Sequence, residues 1–85
     1  MTVRTENGST SFTITNDTQY TFRDIDIIVE VYVPNNGDYD YLGVADTITL
    51  GEWRSGDTTT IKVENSKIDS LVPSGKDPVF SLNWK

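Results

Sequence analysis

The residues best suited to chemistry lie in the acidic stretch PNNGDYDYLG, which spans positions 34 to 43. Asn35, Asn36, Asp38 and Asp40 carry the oxygen atoms that Ca²⁺ prefers as ligands. Alternation along an extended chain would direct the carboxylates of Asp38 and Asp40 to the same side. The spacing differs from that of an EF-hand loop, which ends in a Glu at its twelfth position. A calcium site at Asp38 and Asp40 is therefore one interpretation of this stretch.

The same stretch also has the residues of a tight turn. Asn36 and Gly37 form the Asn-Gly pair that is typical of two-residue β-hairpins, because both residues tolerate a positive φ. Pro34 cannot donate to a sheet and marks the end of the preceding strand. Ca²⁺ needs six to eight oxygens, and this loop supplies few. We therefore expect a hairpin connection that requires no metal and no other cofactor, with Asp38 and Asp40 facing water.

The composition of the 85-residue chain argues against catalysis. The chain has no Cys and no His, so it cannot supply a thiol nucleophile, a zinc–thiolate site or a Ser-His-Asp arrangement. Paired carboxylates hydrolyse glycosides when one is buried and the other solvated. The acids Asp24, Asp26 and Glu30 instead alternate along one segment, as on a solvated strand face that discourages aggregation. We expect no enzymatic activity.

The charge of the chain limits its partners. Thirteen acidic and seven basic residues give a net charge of −6. Nucleic-acid binding needs a basic stripe that neutralises phosphates, and here the basic residues are scattered. No apolar run approaches the ~20 residues of a transmembrane helix. The sequence thus predicts neither nucleic-acid binding nor membrane insertion and leaves a protein or a glycan as the partner.

Aromatic residues form the candidate binding surface. Tyr32 points outward by the alternation of its strand, and Tyr39, Tyr41 and Trp53 lie in or beside predicted turns. Aromatic rings beside polar side chains suit the binding of a sugar or of a protein. In the alternative interpretation, Trp53 and some of the tyrosines close the open ends of a small core.

Two Asn-x-Ser/Thr triplets are candidate glycosylation sites, at Asn7 and at Asn16. Both lie outside the centres of predicted strands, which would leave room for a glycan. The second triplet, Asn16-Asp17-Thr18, also has good turn chemistry, because Asn and Thr side chains accept hydrogen bonds from nearby backbone amides. A structural turn is the alternative interpretation of Asn16.

Apolar residues recur with a period of two along most of the chain, which predicts strands. The longest such segment is RDIDIIVEVYV, whose odd positions from 25 to 33 are all β-branched and apolar and should face the core. The segments SFTITN, TTTIKVEN and VFSLNWK alternate in the same way, the last with Phe80, Leu82 and Trp84 on one face. A single helical turn is expected near Ile68 and Leu71.

The segment YDYLGVADTITL is less regular. Its even positions Leu42, Val44, Ile48 and Leu50 should face the core, but Asp46 shares that face. A polar residue there predicts a bulge or bend between Gly43 and Asp46. The following residues, 51–57, predict a turn because of their glycines.

These elements predict an all-β fold, because strands without a long helix must bury one face of a sheet against another sheet. The number of strands favours an immunoglobulin-like antiparallel β-sandwich of about six or seven strands. A single domain should span residues 1–85, with an ordered core from about residue 10 to residue 85 and a flexible segment at 1–8.

Three segments resemble a known family: FTITNDTQYTFRDIDIIVEVYV, NNGDYDYLG and ITLGEWRSGDTTTIKVEN. Their order of strand, Asn-x-Thr turn, long strand, Asn-Gly turn, Leu-Gly and Gly-Asp-Thr is similar to that of FxLYD-type domains and their immunoglobulin-like relatives in bacterial and archaeal surface proteins. The resemblance covers residues 11–65. At the motif that names the family, F-x-L-Y-D, the chain reads VEVYV at 29–33, of which Tyr32 matches.

The resemblance implies an extracytoplasmic accessory module with no catalytic residues. We therefore expect a structural or adhesion module of a cell-surface or secreted protein, whose partners include the rest of a longer parent chain. The alternative function is a carbohydrate-binding module that uses the Tyr and Trp residues. The N-terminus MTVRTENGST lacks the apolar core of a signal peptide, so a cytoplasmic location is the alternative to an excised piece of a surface protein.

Overall fold

Six β-strands and one short helix make up the computed structural model, which describes residues 1–85. The strands form two antiparallel three-stranded sheets, with the orders β1-β2-β5 and β4-β3-β6. The predicted all-β class is confirmed. No helix has the length and apolar character that crossing a bilayer requires. The elements in chain order are β1 (Thr2–Thr5), β2 (Ser9–Thr15), β3 (Phe22–Asn35), β4 (Asp38–Trp53), β5 (Thr58–Glu64), α1 (Asn65–Asp69) and β6 (Val79–Trp84).

Strand β3 is the centre of its sheet and pairs with β4 on one side and with β6 on the other. Its alternation is as predicted, since every inward position from 25 to 33 is buried. β-branched side chains pack well on a pleated surface that is covered on one face. The side chains with this orientation are Ile25, Ile27, Val29, Val31 and Val33.

One hydrophobic core lies between the two sheets. Phe12 of β2 meets Phe80 of β6 edge to face, with ring centroids 5.0 Å apart, and this contact joins the sheets directly. Aromatic and β-branched residues supply most of the apolar area that a chain of this size can bury. The buried cluster consists of Phe12, Ile14, Ile27, Val29, Val31, Ala45, Trp53, Ile61, Val63 and Ile68.

Strand β4 contains the predicted irregularity, and its effect is to reverse the alternation. Two register shifts occur opposite β3, one at Ala45 and one at Leu42. Gly43 between them adopts a φ of 143°, which favours glycine. Because each bulge adds one residue, Ala45 turns inward and is buried, whereas Val44 is 46% exposed. The prediction that Val44 faces the core is therefore wrong.

Two parts of the chain differ from the prediction, and one agrees with it. Residues 51–53 continue β4 rather than forming a turn, and the turn itself spans 54–57, closed by a hydrogen bond from the Asp57 amide to the Arg54 carbonyl at 3.0 Å. Strand β1 forms within the segment 1–8, which was expected to be flexible, and pairs with residues 10–13 of β2. The predicted helical turn is confirmed as α1, with Ile68 buried beneath it.

Candidate functional site

Three of the predicted aromatic residues come together on the outer face of the β4-β3-β6 sheet. Tyr32 of β3 lies opposite Tyr41 of β4 and opposite Val79 of β6. Tyr39 lies two pairs closer to the hairpin turn on β4, opposite Pro34. Directly opposed residues in antiparallel strands point to the same face. We call Tyr32, Tyr39, Tyr41 and Val79 the tyrosine patch.

The tyrosine patch is accessible and has unused polar atoms. Tyr39 is 59% exposed and Tyr41 is 54% exposed, while Tyr32 is half-buried between strands. The rings of Tyr32 and Tyr41 are 5.3 Å apart and tilted by 60°, a favourable aromatic geometry. The tyrosine hydroxyls of the patch make no hydrogen bond within the chain. By contrast, the hydroxyl of Tyr20, outside the patch, accepts a hydrogen bond from Gln19 at 3.2 Å.

A shallow groove of about 210 Å³ runs beside the tyrosine patch. Its walls are almost entirely apolar, so a ligand side chain placed there would lose contact with water. Val79 belongs to this surface although sequence reasoning missed it. The available signal was its outward position in VFSLNW, but only the pairing of β6 with β3 brings it to Tyr32. The lining residues are Tyr32, Tyr39, Val79, Phe80 and Ser81.

Trp53 does not belong to the exposed aromatic surface. Its side chain is 2% exposed, and its ring lies 5.5 Å from that of Trp84 and 6.3 Å from that of Phe22. The indole Nε1 donates a hydrogen bond to the carbonyl of Asp57 at 3.0 Å. The assignment of Trp53 to a binding surface is therefore wrong, and the alternative, closing one end of the core, is what the structure shows.

Asn16 is a structural residue rather than an accessible sequon. It is 2% exposed, and its Nδ2 donates to the carbonyls of Tyr20 at 2.8 Å and Trp53 at 3.1 Å. Its Oδ1 accepts from the amide of Thr18 at 3.1 Å and from the hydroxyl of Thr18 at 2.6 Å. Because the nitrogen that would carry a glycan is buried and bonded, the expectation of room for a glycan at Asn16 is wrong. Asn7 is exposed, and its glycosylation stays a prediction.

The acidic stretch of the sequence is a β-hairpin. Asn36 and Gly37 have φ values of 51° and 83°, and they form the whole connection between Asn35 and Asp38, which pair with each other. Asp40 accepts a hydrogen bond from Asn35 Nδ2 at 3.0 Å. The hairpin interpretation is confirmed.

The carboxylates at the hairpin end are exposed. Asp38 accepts a hydrogen bond from the amide of Tyr39 at 2.8 Å. No group of three or more His, Cys, Asp or Glu side chains comes together as a metal site anywhere in the chain. The structure therefore offers Ca²⁺ no ligand set around Asp38 and Asp40, and independence from metal stays a prediction.

Ionic groups on the outer face of β3 are paired locally. Asp26 accepts a hydrogen bond from the Thr49 hydroxyl at 2.6 Å, and Glu30 accepts one from Asn83. Both acids are half-buried by these neighbours, whereas Asp24 is exposed. The predicted solvated acidic face is thus partly shielded, and it is spanned by hydrogen bonds to both adjacent strands.

One exposed ion pair shifts the titration of its members. Arg54 Nε donates to Glu52 Oε1 at 3.0 Å. This hydrogen bond and the positive charge of Arg54 lower the pKa of Glu52, with a smaller contribution from Arg23. The same hydrogen bond raises the pKa of Arg54. Both shifts favour the charged forms, which is typical of a surface ion pair.

The fold and its surface define an all-β domain of two antiparallel sheets, with exposed tyrosines gathered on one of them. Comparison of the chain with protein families, with curated proteins and with solved structures gave no match. Its function must therefore be inferred from its own residues.

Proposed function

We propose that the chain is a non-catalytic interaction module that binds a partner protein through the tyrosine patch. The observation that carries this proposal is the convergence of Tyr32, Tyr39 and Tyr41 on one sheet face, two of them more than half exposed. Tyrosine is enriched at protein interfaces because it contributes a large contact area and loses little conformational entropy on binding. The absence of His and Cys supports a role without catalysis.

We further propose that the domain is an immunoglobulin-like β-sandwich. In that arrangement, one sheet contains strands A, B and E and the other contains C′, C and F. The orders β1-β2-β5 and β4-β3-β6 agree with this assignment strand by strand. The resemblance of residues 11–65 to FxLYD-type domains is a second support, and it suggests a place in a cell-surface or secreted protein of greater length.

The surroundings of the tyrosine patch support a protein partner over a glycan. The tilt of 60° between Tyr32 and Tyr41 presents a ring edge as well as a ring face, whereas a sugar ring packs the C–H groups of one side on the face of an aromatic ring. Asp38 and Asp40 stand at the exposed hairpin end beside Tyr39. An apolar centre with a polar rim is the usual anatomy of a protein interface. Carbohydrate binding by the same tyrosines remains the alternative function.

The proposal can be tested with labelled protein applied to intact cells and to secreted proteins of the source organism. The double variant Tyr39→Ala, Tyr41→Ala should weaken saturable binding by about tenfold or more, since interface tyrosines contribute more than 1 kcal/mol each at hot spots. Thr13→Ala with Thr60→Ala is a matched control, because these residues face outward on the other sheet and bond only each other.

Two outcomes would contradict the proposal. Equal binding by the patch variant and the wild type would show that the tyrosines are not the contact surface. Tyrosine-dependent binding to purified glycans on an array would replace a protein partner with the carbohydrate alternative. Unchanged far-ultraviolet circular dichroism of the patch variant is required for either comparison.

A further inference from the structure

Strand β6 has one free edge. It pairs with β3 alone. The reciprocal backbone hydrogen bonds between Asp26 and Lys85, at 3.1 and 3.2 Å, show which backbone groups at this end of the chain point toward β3. Backbone groups in an antiparallel strand point alternately to the two sides. Phe80, Leu82 and Trp84 therefore direct their N–H and C=O groups away from β3, toward a position where the sheet has no strand.

The opposite sheet extends over that empty position. Val3 of β1 lies opposite Phe12 of β2, so both side chains point to the inner face. Phe12 is fully buried, whereas Val3 is 41% exposed and Met1 is 63% exposed. The inner side of β1 thus lacks the cover that β3 and β6 give to β2.

A trough joins these two features. One part, about 340 Å³, lies between Met1 and Ile14 on one side and Leu82 and Trp84 on the other. A second part, about 400 Å³, continues past Phe80 toward Asp77. Phe80 lines both parts, so the trough runs along β6. Most residues that line the first part are apolar, whereas most of those that line the second part are polar. The side wall of the trough is a row of unpaired backbone groups.

The edge of β6 also lacks the usual protection against strand addition. Natural edge strands carry charged residues, prolines or bulges that block pairing. The edge strand β4 has two bulges, β1 contains Arg4, and β5 contains Lys62 and Glu64. Residues 79–84, VFSLNW, include no charged residue and no proline. The chain protects three of its four sheet edges and leaves this one open.

We propose that the free edge of β6 binds an extended segment of a partner polypeptide as a fourth strand of the β4-β3-β6 sheet. Its main chain would pair with Phe80, Leu82 and Trp84, and alternate apolar side chains would pack in the apolar part of the trough, against Met1 and Leu82. Main-chain pairing gives affinity in such strand addition, and pockets for alternate side chains give specificity. The site contains none of the tyrosines of the tyrosine patch, although Phe80 lines both the trough and the groove beside the patch. It goes beyond the function proposed above.

Charge at the ends of the trough indicates the chemistry of the segment. Asp17 lines one end, and Asp69 and Asp77 line the other. None of these three carboxylates takes part in an ion pair within the chain. Opposite charge at both ends would complement them. The segment we propose is therefore an alternating apolar strand flanked by Lys or Arg.

A second copy of the chain fits the site less well. Pairing β6 with β6 of another copy would carry along the strand β2 that packs on it through the contact between Phe12 and Phe80. That second β2 would enter the space beneath the sheet edge that β1 already covers. A peptide segment would bring no second sheet with it, so it is the occupant that the geometry favours.

The test uses the full chain and the synthetic peptide Lys-Val-Thr-Val-Ser-Val-Thr-Lys as a probe. Amide hydrogen exchange followed by NMR should show slower exchange at Phe80, Leu82 and Trp84 on addition of about 1 mM peptide, by roughly tenfold or more. The amides of 81 and 83 already bond β3 and serve as internal references. A peptide with Glu in place of both Lys residues should bind more weakly.

Matched variants separate the trough from the rest of the surface. Val3→Lys places a charge beneath β1 and should weaken peptide binding about tenfold, whereas Val44→Lys, at a similarly exposed position on β4, should not. Tyr39→Ala with Tyr41→Ala should leave peptide binding intact, so failure here is distinct from failure at the tyrosine patch. No protection at the three edge amides would overturn the proposal. Protection that instead rises with protein concentration, together with a dimer in sedimentation, would replace the peptide with a second copy.

Discussion

Trp53 and Tyr41 are aromatic residues of the same strand, but one is buried and the other is exposed. Trp53, at the end of β4, is 2% exposed and donates its indole N–H to Asp57. Tyr41, near the start of β4, is 54% exposed, and its hydroxyl has no partner within the chain. Both lie within a few residues of a turn. The difference arises from what covers them, because Trp84 packs on Trp53 from β6 while the outer face at Tyr41 has no second layer.

The comparison shows which aromatic residues serve the fold and which are free for binding. Around Trp53, Asn16 donates to the Trp53 carbonyl and also holds the chain at Thr18 and Tyr20. We call this set the Asn16–Trp53 cluster. A buried polar group costs free energy unless it is bonded, and every side-chain polar atom of this cluster that is buried has a partner. The tyrosine hydroxyls of the tyrosine patch make no hydrogen bonds within the chain, so they remain available to a ligand.

The largest expected effect is that of Trp53→Ala. Removing a buried Trp costs about 3–5 kcal/mol, a large share of the stability of a small domain. We expect a fall in Tm of more than about 12 °C, or loss of the folded state at room temperature. Thermal melts followed by circular dichroism measure it. Trp53→Phe keeps an aromatic ring at this position, so its Tm should lie between those of the wild type and Trp53→Ala. An unchanged Tm in Trp53→Ala would contradict the burial of this side chain.

Asn16→Ala should have the next largest effect. The substitution leaves the carbonyls of Tyr20 and Trp53 without their donor, and an unsatisfied buried group costs about 1–3 kcal/mol. Asn7→Ala is the matched control, because Asn7 begins the other sequon and is exposed. Denaturant unfolding of both variants measures the difference. Equal stability of the two variants would mean that the hydrogen bonds of Asn16 contribute nothing.

Tyr39→Ala should change stability far less than either of these. Tyr39 is 59% exposed and makes no hydrogen bond through its hydroxyl, and substitutions at such surface positions stay within about 0.5 kcal/mol. The same substitution should weaken partner binding if the tyrosine patch is the contact surface. Denaturant unfolding and a binding titration on one sample compare the two effects. A loss of stability like that of Asn16→Ala would place Tyr39 with the structural residues instead.

The sequence was sufficient to predict the tyrosine patch in part, because a two-residue turn determines the register of its hairpin. Asn36-Gly37 pairs Asn35 with Asp38, and counting back from the turn brings Tyr32 opposite Tyr41. The same alternation correctly assigned the inward residues of β3. Local periodicity and turn chemistry thus account for the long strand, the hairpin and the outward direction of Tyr32.

Features that depend on distant parts of the chain could not be predicted in this way. Each bulge in β4 shifts the alternation by one residue, so Val44 faces outward although its even neighbours Ile48 and Leu50 pack against the core. Trp53 is buried by Trp84, 31 positions further along the chain, and Val79 joins the patch only through pairing of β6 with β3. Contacts of this kind leave no periodic signal in either segment.

Glu52→Gln should have a small effect on stability. Glu52 precedes the buried Trp53 in the chain but is itself exposed. Its pKa is lowered from the ordinary value of 4.5, chiefly by the hydrogen bond from Arg54. A carboxylate whose pKa is lowered by folding adds stability above the pKa of the unfolded chain, and that stability is lost as the pH falls through the folded pKa. We expect Glu52→Gln to lower the Tm only slightly at neutral pH, by less than Trp53→Ala or Asn16→Ala, and not at all well below pH 4.5. Thermal melts from neutral pH to well below pH 4.5 measure the difference in Tm between the variant and the wild type. High salt should make this difference smaller at neutral pH, because the ion pair is exposed. Glu64→Gln is the matched control, because Glu64 is an exposed acid of β5 with no ion-pair partner that the substitution could remove. If the difference in Tm persists in acid, Glu52 stabilises the end of the strand through its packing beside the Asn16–Trp53 cluster and not through its charge.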